Sequence, residues 1–176
     1  GDPTGRDLGR ITLNPLSHID PLGTVVMPLI MIFLPIPFLF GWAKPVPFNP
    51  MNLKDMRRDP VWIALAGPLS NVVLGVLVTL ILKGALLVGG ASIPEPIIML
   101  GFYLVLINAV LFLFNLIPVP PLDGHHVLNY FLPPSGQQVM ASIGPFGILI
   151  AILVAQYVLD KPIALVMNLF FAFIVS

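Results

Sequence analysis

The sequence predicts an all-α polytopic membrane protein with about four to five transmembrane or re-entrant segments around a polar intramembrane site. A short strand-like region is expected near the N-terminus. Two observations carry this prediction. First, 57% of the 176 residues are hydrophobic and 9% charged, with a mean hydropathy of +1.00, whereas soluble domains carry about 25% charged residues. One small core cannot hide that much apolar surface, so lipid must solvate most of it. Second, the charges gather in short polar stretches and leave long uncharged runs between them. The formal net charge is zero and there are no cysteines. This excludes disulfides, thiolate metal sites and a Cys nucleophile, and no basic cluster is dense enough for nucleic acid.

Residues 1–176 are expected to form a single integral membrane domain. Residues 1–21 make a polar edge with Asp2, Arg6, Asp7, Arg10, His18 and Asp20. Within it Arg10–Leu13 could form a strand, which Asn14-Pro15 would stop. Residues 22–40 are apolar and uncharged but interrupted by Pro28, Pro35 and Pro37. The basic loop 41–60 follows, with Lys44, Lys54, Arg57 and Arg58. If both flanks face the cytoplasm, 22–40 dips into the membrane and returns; a kinked full span is the competing reading. The 20 prolines of the chain fit either, because a freed carbonyl in lipid needs a new partner.

Residues 61–83 and 97–117 are strong transmembrane spans. The loop between them has neither Lys nor Arg, as a non-cytoplasmic loop should. Residues 118–138 form a Pro- and Gly-rich loop holding Asp123, His125 and His126. Residues 141–159 give a further span, and 162–175 a short apolar segment, interfacial or part of a crossing. This pattern places a multi-pass protein in the cell (inner) membrane, with lipid as a partner. The chain opens on Gly1, without an initiator Met or a signal peptide, as a fragment of a longer protein would.

Polar groups in lipid need a reason. On 61–83, Gly67, Asn71, Gly75 and Thr79 recur at helical spacing on one face. Small residues there admit another helix, and Asn71 can hydrogen-bond across the contact. Gly101, Asn108 and Asn115 make a related stripe on 97–117, for which packing is the simplest account at Asn108. Asn115 leads into Asn115-Leu-Ile-Pro-Val-Pro-Pro-Leu-Asp-Gly124. There the prolines fix the backbone, Gly124 relaxes the turn, and Asp123 is aimed with little freedom. Such a carboxylate suits a metal ligand or a proton carrier; the plainer alternative is a water-exposed turn cap.

Asn115–Gly124 resembles the NxxPxPxxDG motif of the site-2 protease family, and Ala66–Asn71 resembles the family's AGPxxN signature. Gly1-Asp-Pro-Thr4, Leu13-Asn-Pro15, His18-Ile-Asp-Pro21 and Gly41–Pro50 resemble its small bacterial branch. The resemblance implies an intramembrane zinc-dependent endopeptidase that cleaves transmembrane protein substrates. It implies Zn2+ as cofactor and Asp123 as the third protein ligand. Asn71 and Asn115 are implied as substrate or transition-state contacts. In the family two His ligands and the general-base Glu come from an HExxH motif on an earlier helix.

No HExxH occurs here, and the single glutamate is Glu95. In the branch it resembles, the motif lies shortly before Gly1-Asp-Pro-Thr4, so truncation is the expectation. This chain alone is expected to be inactive and its full-length parent active. His125 and His126 stand where the family has Gly or Ser followed by Arg. Adjacent residues on an extended strand point apart, so both could bind one metal only on a tight turn. His18 reads as structural or hydrogen-bonding. In the enzyme reading, 22–40 and 41–60 would guide an unwound substrate, by strand addition. Two other classes stand beside it: a non-catalytic membrane protein binding transmembrane clients, and a transporter or channel subunit, against which the lack of a repeat argues.

Overall fold

The computed structural model describes residues 2–12, 14–33, 41, 43–44, 46–47 and 49–176. Every regular element among them is helical, and they divide into two compact units, Gly1–Met56 and Arg57–Ser176.

The first unit is organised by polar side chains. The Asp2 carboxylate accepts from Thr4 N (3.1 Å), Thr4 Oγ1 (2.6 Å), Asn49 N (2.7 Å) and Asn52 Nδ2 (2.8 Å), tying the short helix α1 (Thr4–Asp7) to the segment around Pro50–Asn52. Asn14 caps a 3-10 turn, Pro15–His18, by accepting from Leu16 N. Asp20 accepts from Leu22 N and Gly23 N and so opens a π-helical stretch, Pro21–Val26, that continues as α2 (Met27–Phe33).

The strand expected over Arg10–Leu13 is absent among the described residues, Leu13 lying outside them. Local bonds take its place: the Arg10 guanidinium donates to Ser17 O at 2.6 Å and His18 Nε2 donates to Thr12 O at 3.1 Å. Residues 34–40 of the 22–40 segment lie outside the described residues, and Gly41, just past it, meets Gly23 near its start. A Cβ on Gly41 would stand 2.6 Å from Gly23 O and 3.3 Å from the Pro28 ring. Just beyond, Lys44 N donates to His18 O at 2.9 Å.

The second unit is built on two long apolar helices, α3 (Asp59–Gly89) and α4 (Glu95–Asn115), both long and apolar enough to cross a membrane. The 31 residues of α3 cover about 46 Å. Lys83 does not end α3, which continues to Gly89. Its ammonium instead donates to Phe173 O at 2.6 Å and Ser176 Oγ at 3.1 Å, capping α8 (Asp160–Val175).

Gly75 and Gly101, one from each stripe, are contact points between α3 and α4. A Cβ on Gly75 would be 3.8 Å from Asn108 Cβ, and one on Gly101 would be 2.9 Å from Leu82 Cδ2. Leu82 opposite Gly101 and Gly75 opposite Asn108 define an antiparallel pair, whose register brings Gly67 level with the end of α4. Leu82 and Val105 form a core with Met167 and Phe170 of α8. Thr79 Oγ1 and Asn108 Nδ2 donate to carbonyls of their own helices, Gly75 O and Leu104 O, so these polar groups cost little in an apolar setting. Many large apolar side chains of α3 and α4 stay exposed, among them Ile81 and Leu100, as lipid-facing side chains do.

After α4 come two short helices, α5 (Gly124–Phe131) and α6 (Pro134–Ile143), then α7 (Gly147–Val158). Residues 141–159, read as one span, are instead divided at Gly144–Phe146, and α6 and α7 meet at 92°. Gly144, at φ 43°, adopts a conformation open to glycine, and Pro145 follows it.

Candidate metal centre

The Pro118–Asp123 loop is pinned from both sides. Ile117 and Leu122 are buried in a core with Ala151 of α7 and Leu159. Successive tight turns hold its backbone: Val119 N donates to Ile117 O at 2.8 Å, and Leu122 N to Val119 O at 3.0 Å. The Pro120-Pro121 peptide is cis. Two glycines let the chain pass. A Cβ on Gly124 would collide with the Leu116 carbonyl and lie 2.7 Å from Ile117 O; one on Gly147 would collide with Pro120 O. The end of α4, the start of α5 and the start of α7 therefore close on this loop at backbone contact.

Asp123 emerges from that clamp at the N-cap of α5, but its side chain makes no capping hydrogen bond. Among the described residues no donor reaches its carboxylate. The group is half-buried and faces α3, where a Cβ on Gly67 would lie 3.3 Å from Oδ2. Asp123 lies outside the long apolar helices, and burial pushes its carboxyl above the ordinary range while the charge of His125 pulls the other way.

His125 and His126 occupy the first turn of α5, their rings 3.8 Å apart and tilted by 42°. His125 Nδ1 is 2.6 Å from Leu122 O. A carbonyl only accepts, so Nδ1 carries the proton and the contact ties the ring back to the loop. Burial first, and His125 second, push the His126 imidazole below its ordinary range. Among the described residues no three His, Cys, Asp or Glu side chains come together as a metal-holding group.

Asn71 lies one turn beyond Gly67 and lines a cavity of about 400 Å3 between α3, α4 and α8, shared with Gly75, Thr79, Asn108 and Phe112. Asn115 Nδ2 donates to Leu111 O at 2.9 Å, which leaves its Oδ1 as the group open to a ligand. Neither amide hydrogen-bonds Asp123. Gly67 belongs to the small-residue face of α3, and a Cβ there would meet the Asp123 carboxylate. A glycine one turn before Asn71 in the same motif was the only signal, and it does not name its partner.

The Peptidase family M50 model matches residues 84–155, a span that contains Asn115, the proline loop and Asp123. A Bacillus subtilis (strain 168) protein described as "Putative zinc metalloprotease YwhC" is 34% identical over 153 residues, 85% of this chain and 66% of its own length. The chain belongs to the site-2 protease family, peptidase family M50. A second relative, from Mycolicibacterium smegmatis, is described as "Putative zinc metalloprotease Rip2"; it is 29% identical over 152 residues, 86% of this chain and 56% of that protein. The chain thus spans between about half and two thirds of the length of these curated relatives. No solved structure matches it. As an M50 member with two long apolar helices, it is a membrane protein. Asp123 fits a zinc ion as one ligand, a carboxylate with no donor among the described residues, beside the space that Gly67 leaves. The described residues do not complete a ligand set.

Proposed function

We propose that this chain is the part of an intramembrane zinc endopeptidase that supplies the carboxylate ligand and the substrate-facing wall of the site. It would act in a full-length protein that also carries an HExxH segment, as a multi-pass protein of the cell (inner) membrane cleaving transmembrane protein segments. The observation that carries the reading is the Asp123 carboxylate, held by a proline loop, half-buried, and without a hydrogen-bond donor among the described residues. Such a group needs a cation or a proton.

Zinc, when bound, supplies a Lewis acid that makes its water a nucleophile near neutral pH. The work of this chain is placement. The loop core of Ile117 and Leu122 and the Gly124 and Gly147 contacts hold the Asp123 backbone. Gly67 leaves the side of the carboxylate open. Asn71 presents its amide in the apolar cavity, where it can hydrogen-bond an unwound peptide backbone, and Asn115 offers Oδ1. The meeting of Gly41 with Gly23 supports the re-entrant reading of 22–40.

Full-length protein in proteoliposomes, given a transmembrane peptide, should cleave it, stop on zinc chelation and resume when zinc is returned. Peptide bonds in a helix are shielded, so a more helical substrate segment should be cut more slowly. Zinc-independent solute flux without cleavage would establish the transporter reading in its place.

A further inference from the structure

The chemistry above makes no use of Arg57, which lies two residues before the first residue of α3. Its guanidinium reaches the far end of α5, where Nη2 and Nε donate to Tyr130 O at 3.0 and 3.3 Å and Cζ lies 5.4 Å from the centre of the Tyr130 ring. The last carbonyls of a helix lack helical partners and carry its negative end. A planar guanidinium can meet the hydrogen bond, the charge and the ring together.

The opposite end of α5 carries Asp123. At about 1.5 Å per residue, 59 to 67 covers about 12 Å along α3, and 124 to 130 about 9 Å along α5. Arg57 meets Tyr130 while Gly67 meets Asp123, so the two contacts are the ends of one antiparallel pairing of α5 on α3. Gly124 adds a third fixed point against the Leu116 and Ile117 carbonyls. A helix of 8 residues does not hold itself in place; its ends place it.

We propose that Arg57 is a positioning residue for the Asp123 carboxylate, acting through α5. By clamping Tyr130 O it sets where α5 lies along α3, and so where Asp123 stands relative to Gly67. The inference rests on the reading of Asp123 as a zinc ligand.

The test competes zinc between a colorimetric chelator and the full-length protein, as wild type, D123N, R57A and R57K, with hydrogen exchange on the same samples. R57A should weaken zinc retention about tenfold, the scale at which supporting residues tune metal sites. It should also speed exchange across Gly124–Phe131 and leave α4 unchanged. R57K keeps the charge and one donor but loses the fork, and should recover part of both. A merely structural role would lower the melting temperature without moving zinc affinity measured well below it. If D123N loses zinc while R57A and R57K bind it as wild type does, the positioning role is overturned and the ligand reading stands. If D123N itself retains zinc, the ligand reading falls, and this inference with it. Should R57A not fold, R57K decides: wild-type zinc affinity alongside faster α5 exchange would overturn the role.

Discussion

A Cβ on Gly67 of α3 would stand 3.3 Å from Oδ2 of Asp123, so the missing side chain of one residue is the open flank of the other. Alanine at 67 should crowd the carboxylate while improving helix propensity by about 1 kcal/mol. The expected result for G67A is unchanged or higher thermal stability with zinc retention reduced about tenfold. Parallel loss of both would mean that Gly67 serves packing alone.

Gly124 answers to a different constraint, because a Cβ there would run into the Leu116 and Ile117 carbonyls. Backbone cannot move aside as a flexible side chain does. G124A should therefore destabilise the protein by about 1–3 kcal/mol, the usual range for overpacking, measured by denaturant unfolding in detergent.

The membrane class was legible because charge and hydropathy act without regard to tertiary contact. The proline motif pointed to Asp123 because Pro118, Pro120, Pro121 and Gly124 restrict the backbone locally. What stayed hidden was pairing across the chain. Nothing local in Gly67 names Asp123, and nothing in Arg57 names Tyr130. Lys83 read as the end of a span, because a charge in lipid is costly; α8 gives that charge a carbonyl terminus to cap. Over Arg10–Thr12 the described residues form no strand, since propensity specifies one only where another edge lies beside it.

At that α8 terminus, the Lys83 ammonium joins Phe173 O and lies 5.1 Å from the centre of the Phe173 ring. Replacing it with methionine removes a cation from the negative end of a helix, worth about 0.3–1 kcal/mol at an exposed site. K83M should fray the last turn of α8, seen as faster amide exchange near Phe173. K83R should keep that protection.

Acid should act on the first unit through Asp2. Hydrogen bonds, chiefly from Thr4 and Asn52, hold its carboxyl far below the ordinary carboxylate range. Its folded pKa is depressed, so the stabilisation is complete above the unfolded value of about 3.9 and is lost as pH falls through the folded one. Below about pH 4 the wild-type segment around Asn49–Asn52 should lose exchange protection progressively. D2N, starting less protected, should show a flatter pH response.

The zinc content of the full-length protein, measured by elemental analysis for wild type and D123N side by side, tests the ligand role of Asp123 most directly. The expected result is about one zinc per wild-type chain and little or none in a D123N protein that remains folded. D123N carrying as much zinc as wild type would contradict it, leaving Asp123 without the role that its placement implies.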